Sequence, residues 1–153
     1  GKIWGPMTES QLGWLAGMLD GEGTVGFYKI SPCSGKKSRP RFKISCNIVN
    51  THAPTIYKIR ELVGYGRVSA RQQPGRIAYV WALSDISAEN FLRMIAPYCV
   101  TKCEQIDTAL IGVKIRRESP RVRAPNGFGP YPITEETKCK LVEIVDKLKS
   151  MKT

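Results

Sequence analysis

Leu15-Ala16-Gly17-Met18-Leu19-Asp20-Gly21-Glu22-Gly23 ends an apolar helical pattern on two acids set among glycines. Just upstream, Thr8-Glu9-Ser10-Gln11 has capping-box form, with Thr8 as N-cap and Gln11 three positions on. Leu12, Leu15, Ala16 and Leu19 follow at i, i+3, i+4 and i+7, a single apolar stripe. Gly13 and Gly17 lie one turn apart beside it, each costing about 1 kcal/mol of helix propensity against alanine. What they allow is close approach by another helix. Gly21 and Gly23 are expected to stop the helix, which leaves Asp20 and Glu22 at its C-terminal end. The helix dipole disfavours negative charge there by roughly 0.3–1 kcal/mol per exposed group. A bound cation would reverse that sign, and hard divalent ions take carboxylates and exposed carbonyls, such as that of Gly21, together. The plainer alternative, acids facing solvent after a glycine stop, fits the same residues.

Downstream, Thr24 to Ile30 and Arg41 to Ile48 read as strands joined by a long loop bearing Lys36, Lys37 and Arg39. The second strand alternates. Phe42, Ile44, Cys46 and Ile48 point one way, and Arg41, Lys43, Ser45 and Asn47 the other. Pro54 opens a second helix carrying Ile56, Ile59, Leu62 and Val63, ended by Gly64 and Gly66. Strands over Arg67–Arg71 and Ile77–Leu83 follow, the latter an unbroken apolar run whose outward face is not readable. Ser87 is placed as cap of a third helix stopped at Pro97, and a fourth helix spans about Thr101 to Arg116. Residues 117–133 read as a Pro/Gly/Arg-rich loop and 134–150 as a C-terminal helix, with 1–7 an N-terminal extension. The element order is that of an α+β domain with antiparallel strands, and 153 residues suit one such domain.

Lys and Arg outnumber Asp and Glu by 24 to 13, a formal charge of +11, for which a polyanionic partner is the economical reading. The basic residues are spread over strands, loops and tail, not gathered on one amphipathic helix, so a membrane surface fits less well. No apolar run is long enough to cross a bilayer, and no secretory leader is visible, so an intracellular, reduced setting is expected. Five cysteines without a C-x-x-C pair and one histidine supply a zinc site poorly. The single histidine also argues against Ser-His-Asp or Cys-His chemistry. No G-x-x-x-x-G-K-[ST] loop is present, so no nucleotide cofactor is expected.

The nine residues Leu15 to Gly23 resemble the LAGLIDADG motif, matching it at Leu15, Ala16, Gly17, Asp20 and Gly23 and departing from it at Met18, Leu19, Gly21 and Glu22. The order of elements through residue 117 agrees with that homing endonuclease family. The resemblance implies an αββαββα core whose antiparallel sheet forms a DNA-binding saddle, with the motif helix packed against its own copy. With a single motif, it implies a homodimer with Gly13, Ala16 and Gly17 at the helix pair. It further implies Mg²⁺-dependent hydrolysis, a double-strand break in a long pseudo-palindromic duplex, and often an intron-encoded origin.

Residue by residue, the resemblance makes Glu22 the metal-binding acid, with the Gly21 carbonyl beside it and Asp20 a secondary, more structural candidate. Lys102 matches a basic residue that assists the cleaved phosphate, Asn50 a polar position near the attacking water, and Arg71 a basic residue at the edge of the site. Ordinary turn-forming or solvated roles stay open for Asn50, Lys102 and Arg71. DNA contacts are expected from Tyr28, Arg39, Arg41, Lys43, Ser45, Asn47, Arg67, Ser69, Arg71, Tyr79 and Trp81, with strands laid in the major groove. A non-cleaving nucleic-acid binder on the same scaffold, an RNA maturase or a regulator, is the alternative.

Overall fold

The computed structural model describes residues 7–30, 41–119 and 134–152. In chain order the elements are α1 (Glu9–Glu22), β1 (Gly23–Ile30), β2 (Arg41–Asn50), α2 (Ala53–Val63), β3 (Arg67–Gln73) and β4 (Arg76–Ser84). Then come α3 (Asp85–Ile95), a 3₁₀ turn (Ala96–Tyr98), α4 (Cys103–Arg117) and α5 (Glu135–Ser150). The capping box forms as read: Thr8 N donates to Gln11 Oε1 at 3.0 Å, and Gln11 N to Thr8 Oγ1 at 3.2 Å. Gly21, however, does not stop α1. The helix runs on through Glu22 and is closed by Gly23, whose N–H returns to the Leu19 carbonyl.

The four strands form one antiparallel sheet in the order β1-β2-β4-β3. Paired residues of antiparallel neighbours share a face, so the registers sort every position. Val25 pairs with Cys46, Phe27 with Ile44, Cys46 with Leu83 and Ile48 with Trp81; all of these are buried on the side the helices cover. Phe27 stacks on Phe42 with ring centroids 6.0 Å apart, and α4 comes close because Gly112 leaves room for the Phe27 ring. Trp81 meets Phe91 of α3 edge-on at 5.0 Å, and its Nε1 donates to the Tyr65 carbonyl at 3.0 Å.

That register corrects the fourth strand. Trp81 is fully buried, and Tyr79, paired with Asn50 on the same side, packs against the core; neither faces a groove-binding surface. The cause is position: β4 is a central strand and carries apolar side chains on both faces. Two helix starts also differ from expectation. α3 begins at Asp85, with Ser84 at its N-cap, three residues before Ser87, and Asp85 takes a left-handed φ of 56°. α4 begins at Cys103 with Lys102 at its N-cap. At α5 the Thr134 hydroxyl accepts from Thr137 N at 3.1 Å, and Leu141, Val145 and Leu148 are buried. Arg39 and residues 120–133 of the expected loop lie outside the described residues.

Gly66 sits at φ +121°, where a Cβ would come within 2.1 Å of Trp81 Nε1. Left-handed strain and overpacking then act together. Gly66→Ala is expected to lower stability by about 2–4 kcal/mol in urea unfolding, and a loss under half a kcal/mol would contradict this packing.

Candidate nucleic-acid interface and active site

The sheet face opposite the helices carries Thr24, Gly26, Tyr28 and Ile30 of β1 and Arg41, Lys43, Ser45, Asn47 and Val49 of β2. From β4 and β3 it carries Ser84, Ala82, Val80, Ala78 and Arg76, then Arg67, Ser69, Arg71 and Gln73. Arg41, Lys43, Arg67, Arg71 and Arg76 make this face cationic, and no strand position on it is acidic. Seven expected contacts therefore share one surface with Tyr28: Arg41, Lys43, Ser45, Asn47, Arg67, Ser69 and Arg71. Arg76 was missed, although its pairing with Gln73 follows once β3 and β4 are set in register; Arg76 Nε donates to Gln73 Oε1 at 2.9 Å. Lys43 has Asp85 for a neighbour at 4.0 Å, both partly exposed, a pair too solvated to hold it firmly.

At the C-terminal end of α1 the two acids take different parts. The Asp20 carboxylate accepts the N–H of Val100 at 2.8 Å and of Lys102 at 2.9 Å, and Lys102 Nζ donates to the Asp20 carbonyl at 2.8 Å. Burial by itself raises the pKa of Asp20; the N–H groups of Val100, Lys102 and Thr101 and the Lys102 charge outweigh it and hold the carboxyl below its ordinary 3.8. Glu22 is exposed as the last residue of the helix. Structure thus joins Glu22, Gly21, Asp20 and Lys102 at one corner of the sheet, where β1 begins.

Asn50 lies on the helix-covered side by register, and its Oδ1 accepts from His52 N at 2.8 Å, turning the chain into α2. Arg71 is exposed on the edge strand, two strands beyond β2, about 10 Å away at the usual strand spacing. Among the described residues no group of three or more His, Cys, Asp or Glu side chains is placed to hold a metal. Of the two acids that end α1, Asp20 is committed to the chain's own N–H groups and Glu22 is left exposed at this corner. Such a set fits an Mg²⁺ ion that keeps several waters and takes its other ligands from phosphate and a second carboxylate.

The expected helix–helix contact is corrected at one position. Ala16 is fully buried on the core stripe, and its carbonyl faces Cys99 Sγ at 3.9 Å, so it packs within its own subunit. The opposite face of α1 presents Gly13, Gly17 and Gly21, with Trp14 beside them at 39% exposure. A Cβ at any of the three glycines would meet nothing within 4 Å. Beside Glu22, a shallow recess of about 300 Å³ is lined by Gly23, Thr24, Lys102, Gln105, Met151 and Lys152. Gln105 and Thr24 had gone unnoticed; the first stands three residues after Lys102 on α4, and the second is adjacent to Gly23.

No family model matches the chain, and no curated protein matches it. Solved structures do. The homing endonuclease I-CvuI, solved with a DNA target and Mg, superposes with a TM-score of 0.72 at 15% identity, over 94% of this chain and 82% of that one. The archaeal intron-encoded homing endonuclease I-Vdi141I, complexed with DNA, gives 0.69 at 17% over 95% and 86%. The LAGLIDADG homing endonuclease I-LtrWI, bound to target DNA, gives 0.68 at 19%, over 96% of this chain but 47% of that longer one. The fold of this chain is the LAGLIDADG homing endonuclease fold.

Because the Asp20 pKa is lowered in the folded state, its contribution to stability is complete above the unfolded value near 3.8 and is lost as pH falls through the lower folded value. The stability gap between wild type and Asp20→Asn should therefore narrow on acidification below about pH 4, measured by urea midpoints. A gap that widens in acid would sink the assignment.

Proposed function

We propose that this chain, built on the LAGLIDADG fold, is a site-specific DNA endonuclease that works as a homodimer and cuts both strands with Mg²⁺ bound at Glu22. The observation that carries this reading is the exposed Glu22, two residues beyond the Asp20 that anchors Lys102, at the corner of a cationic sheet face. Affinity comes mainly from phosphate contacts by lysine and arginine, and base reading from Arg41, Lys43, Ser45 and Asn47 along β2 in the major groove. Tyr28, Arg67 and Ser69 extend that surface. No described helix is long and apolar enough to cross a membrane, and duplex DNA inside the cell is the expected substrate.

The homodimer follows from the cost of the glycines. Three exposed helical glycines forgo about 3 kcal/mol of propensity against alanine, and nothing among the described residues requires their small size. Close approach of a second α1 does. That approach brings two Glu22 side chains together, which repel unless a cation lies between them.

Bound Mg²⁺ lowers the pKa of its water and stabilises charge on the oxygens of the phosphodiester. The remaining tasks fall to the chain. Glu22 and the Gly21 carbonyl supply oxygen ligands. Asp20 keeps the segment before α4 in place, so that the Lys102 ammonium stays beside the cleaved phosphate and offsets its developing charge. Asn50, with its carbonyl oxygen engaged by His52, keeps an amide N–H₂ for orienting water. Arg71 serves phosphate at the edge of the sheet.

Incubation with a randomised duplex library and Mg²⁺, followed by sequencing of cut ends, tests the function. A single pseudo-palindromic site is expected; binding with no cut ends would return the chain to the non-cleaving alternative. On the selected duplex, Glu22→Gln should abolish cutting while leaving affinity nearly unchanged, and cutting near the wild-type rate would refute the metal assignment. Gly17→Leu should fold normally yet sediment as a monomer and lose double-strand cleavage. A dimeric, active Gly17→Leu would remove α1 from the interface.

A further inference from the structure

The recess next to Glu22 holds more than the proposed cleavage chemistry uses. It opens where the start of β1, the first turn of α4 and the end of α5 meet, and its lining includes two lysines, Lys102 and Lys152, together with the neutral hydrogen-bonding residues Thr24 and Gln105. Among the described residues no carboxylate lines it. Lys152 also lies 5.5 Å from the ring centroid of Tyr28, which stands on the cationic sheet face. Thr24 is on that face too, paired with Asn47. The recess is therefore continuous with the surface assigned to DNA.

We propose that this recess is a subsite for one backbone phosphate of the DNA strand, next to the cleaved one, and that Lys152 is its dedicated ligand. The assignment rests on the endonuclease reading above. Lysines 147, 149 and 152 near the end of α5 would all suit the helix dipole. The dipole asks only for nearness to that end. It does not account for Lys152 sharing a concavity with a second lysine, which leaves the recess cationic. Lys102 is fixed beside this recess, its Nζ held at 2.8 Å by the Asp20 carbonyl. An ammonium has three donors, so that anchor leaves others free for an anion. A phosphate bound in the recess offsets that charge and accepts charge-assisted hydrogen bonds from the lysines, with Gln105 and the Thr24 hydroxyl able to donate to the remaining oxygens. α5, through its last turn, thereby joins the substrate strand to the corner that carries Glu22.

The test uses the full chain and its library-selected duplex in a series carrying a single neutral methylphosphonate at successive positions around the cut. Wild type, Lys152→Met and Lys149→Met are compared, the last removing the same charge from the same helix end without touching the recess. Lys152→Met is expected to reduce the slope of log affinity against log salt by about one unit. One methylphosphonate position per half-site should weaken wild type and Lys149→Met severalfold and have no effect on Lys152→Met. An unchanged salt slope, or the same penalty at every position in all three proteins, would overturn the subsite while the nuclease reading stands. A wild type that neither retains nor cuts any duplex overturns both.

Discussion

One carboxylate connects the two distant parts of this chain that meet at the proposed active corner. Asp20, at the end of α1, accepts backbone N–H groups from Val100 and Lys102, about eighty residues downstream, and its own carbonyl takes the Lys102 ammonium. Hydrogen bonds to a charged acceptor contribute about 1.5–3 kcal/mol each when desolvated; the one from Lys102 N is partly buried and the one from Val100 N is exposed. Their larger consequence is geometric. They set where α4 starts and where the Lys102 side chain emerges, so the corner beside Glu22 is assembled before any ligand arrives.

α1 itself has two faces with different obligations. Leu15, Ala16 and Leu19 are fully buried against the subunit's own core. The other face carries three glycines, Ser10 and one tryptophan, open to whatever approaches. Weak amphipathicity by residue type follows directly, because glycine is not polar: the contrast between the faces is one of size. A helix meant only for solvent would carry charge there, and one meant only for the core would carry bulk.

Much of the fold was legible because its signals were local. The capping box, the alternation of Arg41 to Ile48 and the glycines after α2 each depend on neighbours in sequence, and each places its element within a few residues. What failed depended on neighbours in space. Trp81 and Tyr79 belong to a central strand whose apolar run carries no parity, so only its register with β2 reveals which side they face. Ala16 satisfied both the small-residue stripe and the apolar stripe, and packing chose the second. Gly21 reads as a stop, yet α1 continues to Glu22, since an isolated glycine costs only about 1 kcal/mol. Lys152 comes to share a recess with Lys102 and Gln105 only when α5 folds back on α4.

The two acids of the motif helix looked equivalent as residues at an unfavourable helix end, and the structure divides their labour. Asp20's charge is met by N–H donors that belong to the protein, so its ionised form is favoured with nothing else bound. Glu22, one exposed residue from the cap, has the same dipole against it. An acid that is internally satisfied has little to offer a metal, because binding would have to displace the hydrogen bonds that position Lys102. An acid left exposed at a helix C-terminus carries a small standing cost that a cation would convert into stabilisation. The assignment of Glu22 over Asp20 therefore rests on which carboxylate the fold has already committed, an argument independent of any motif.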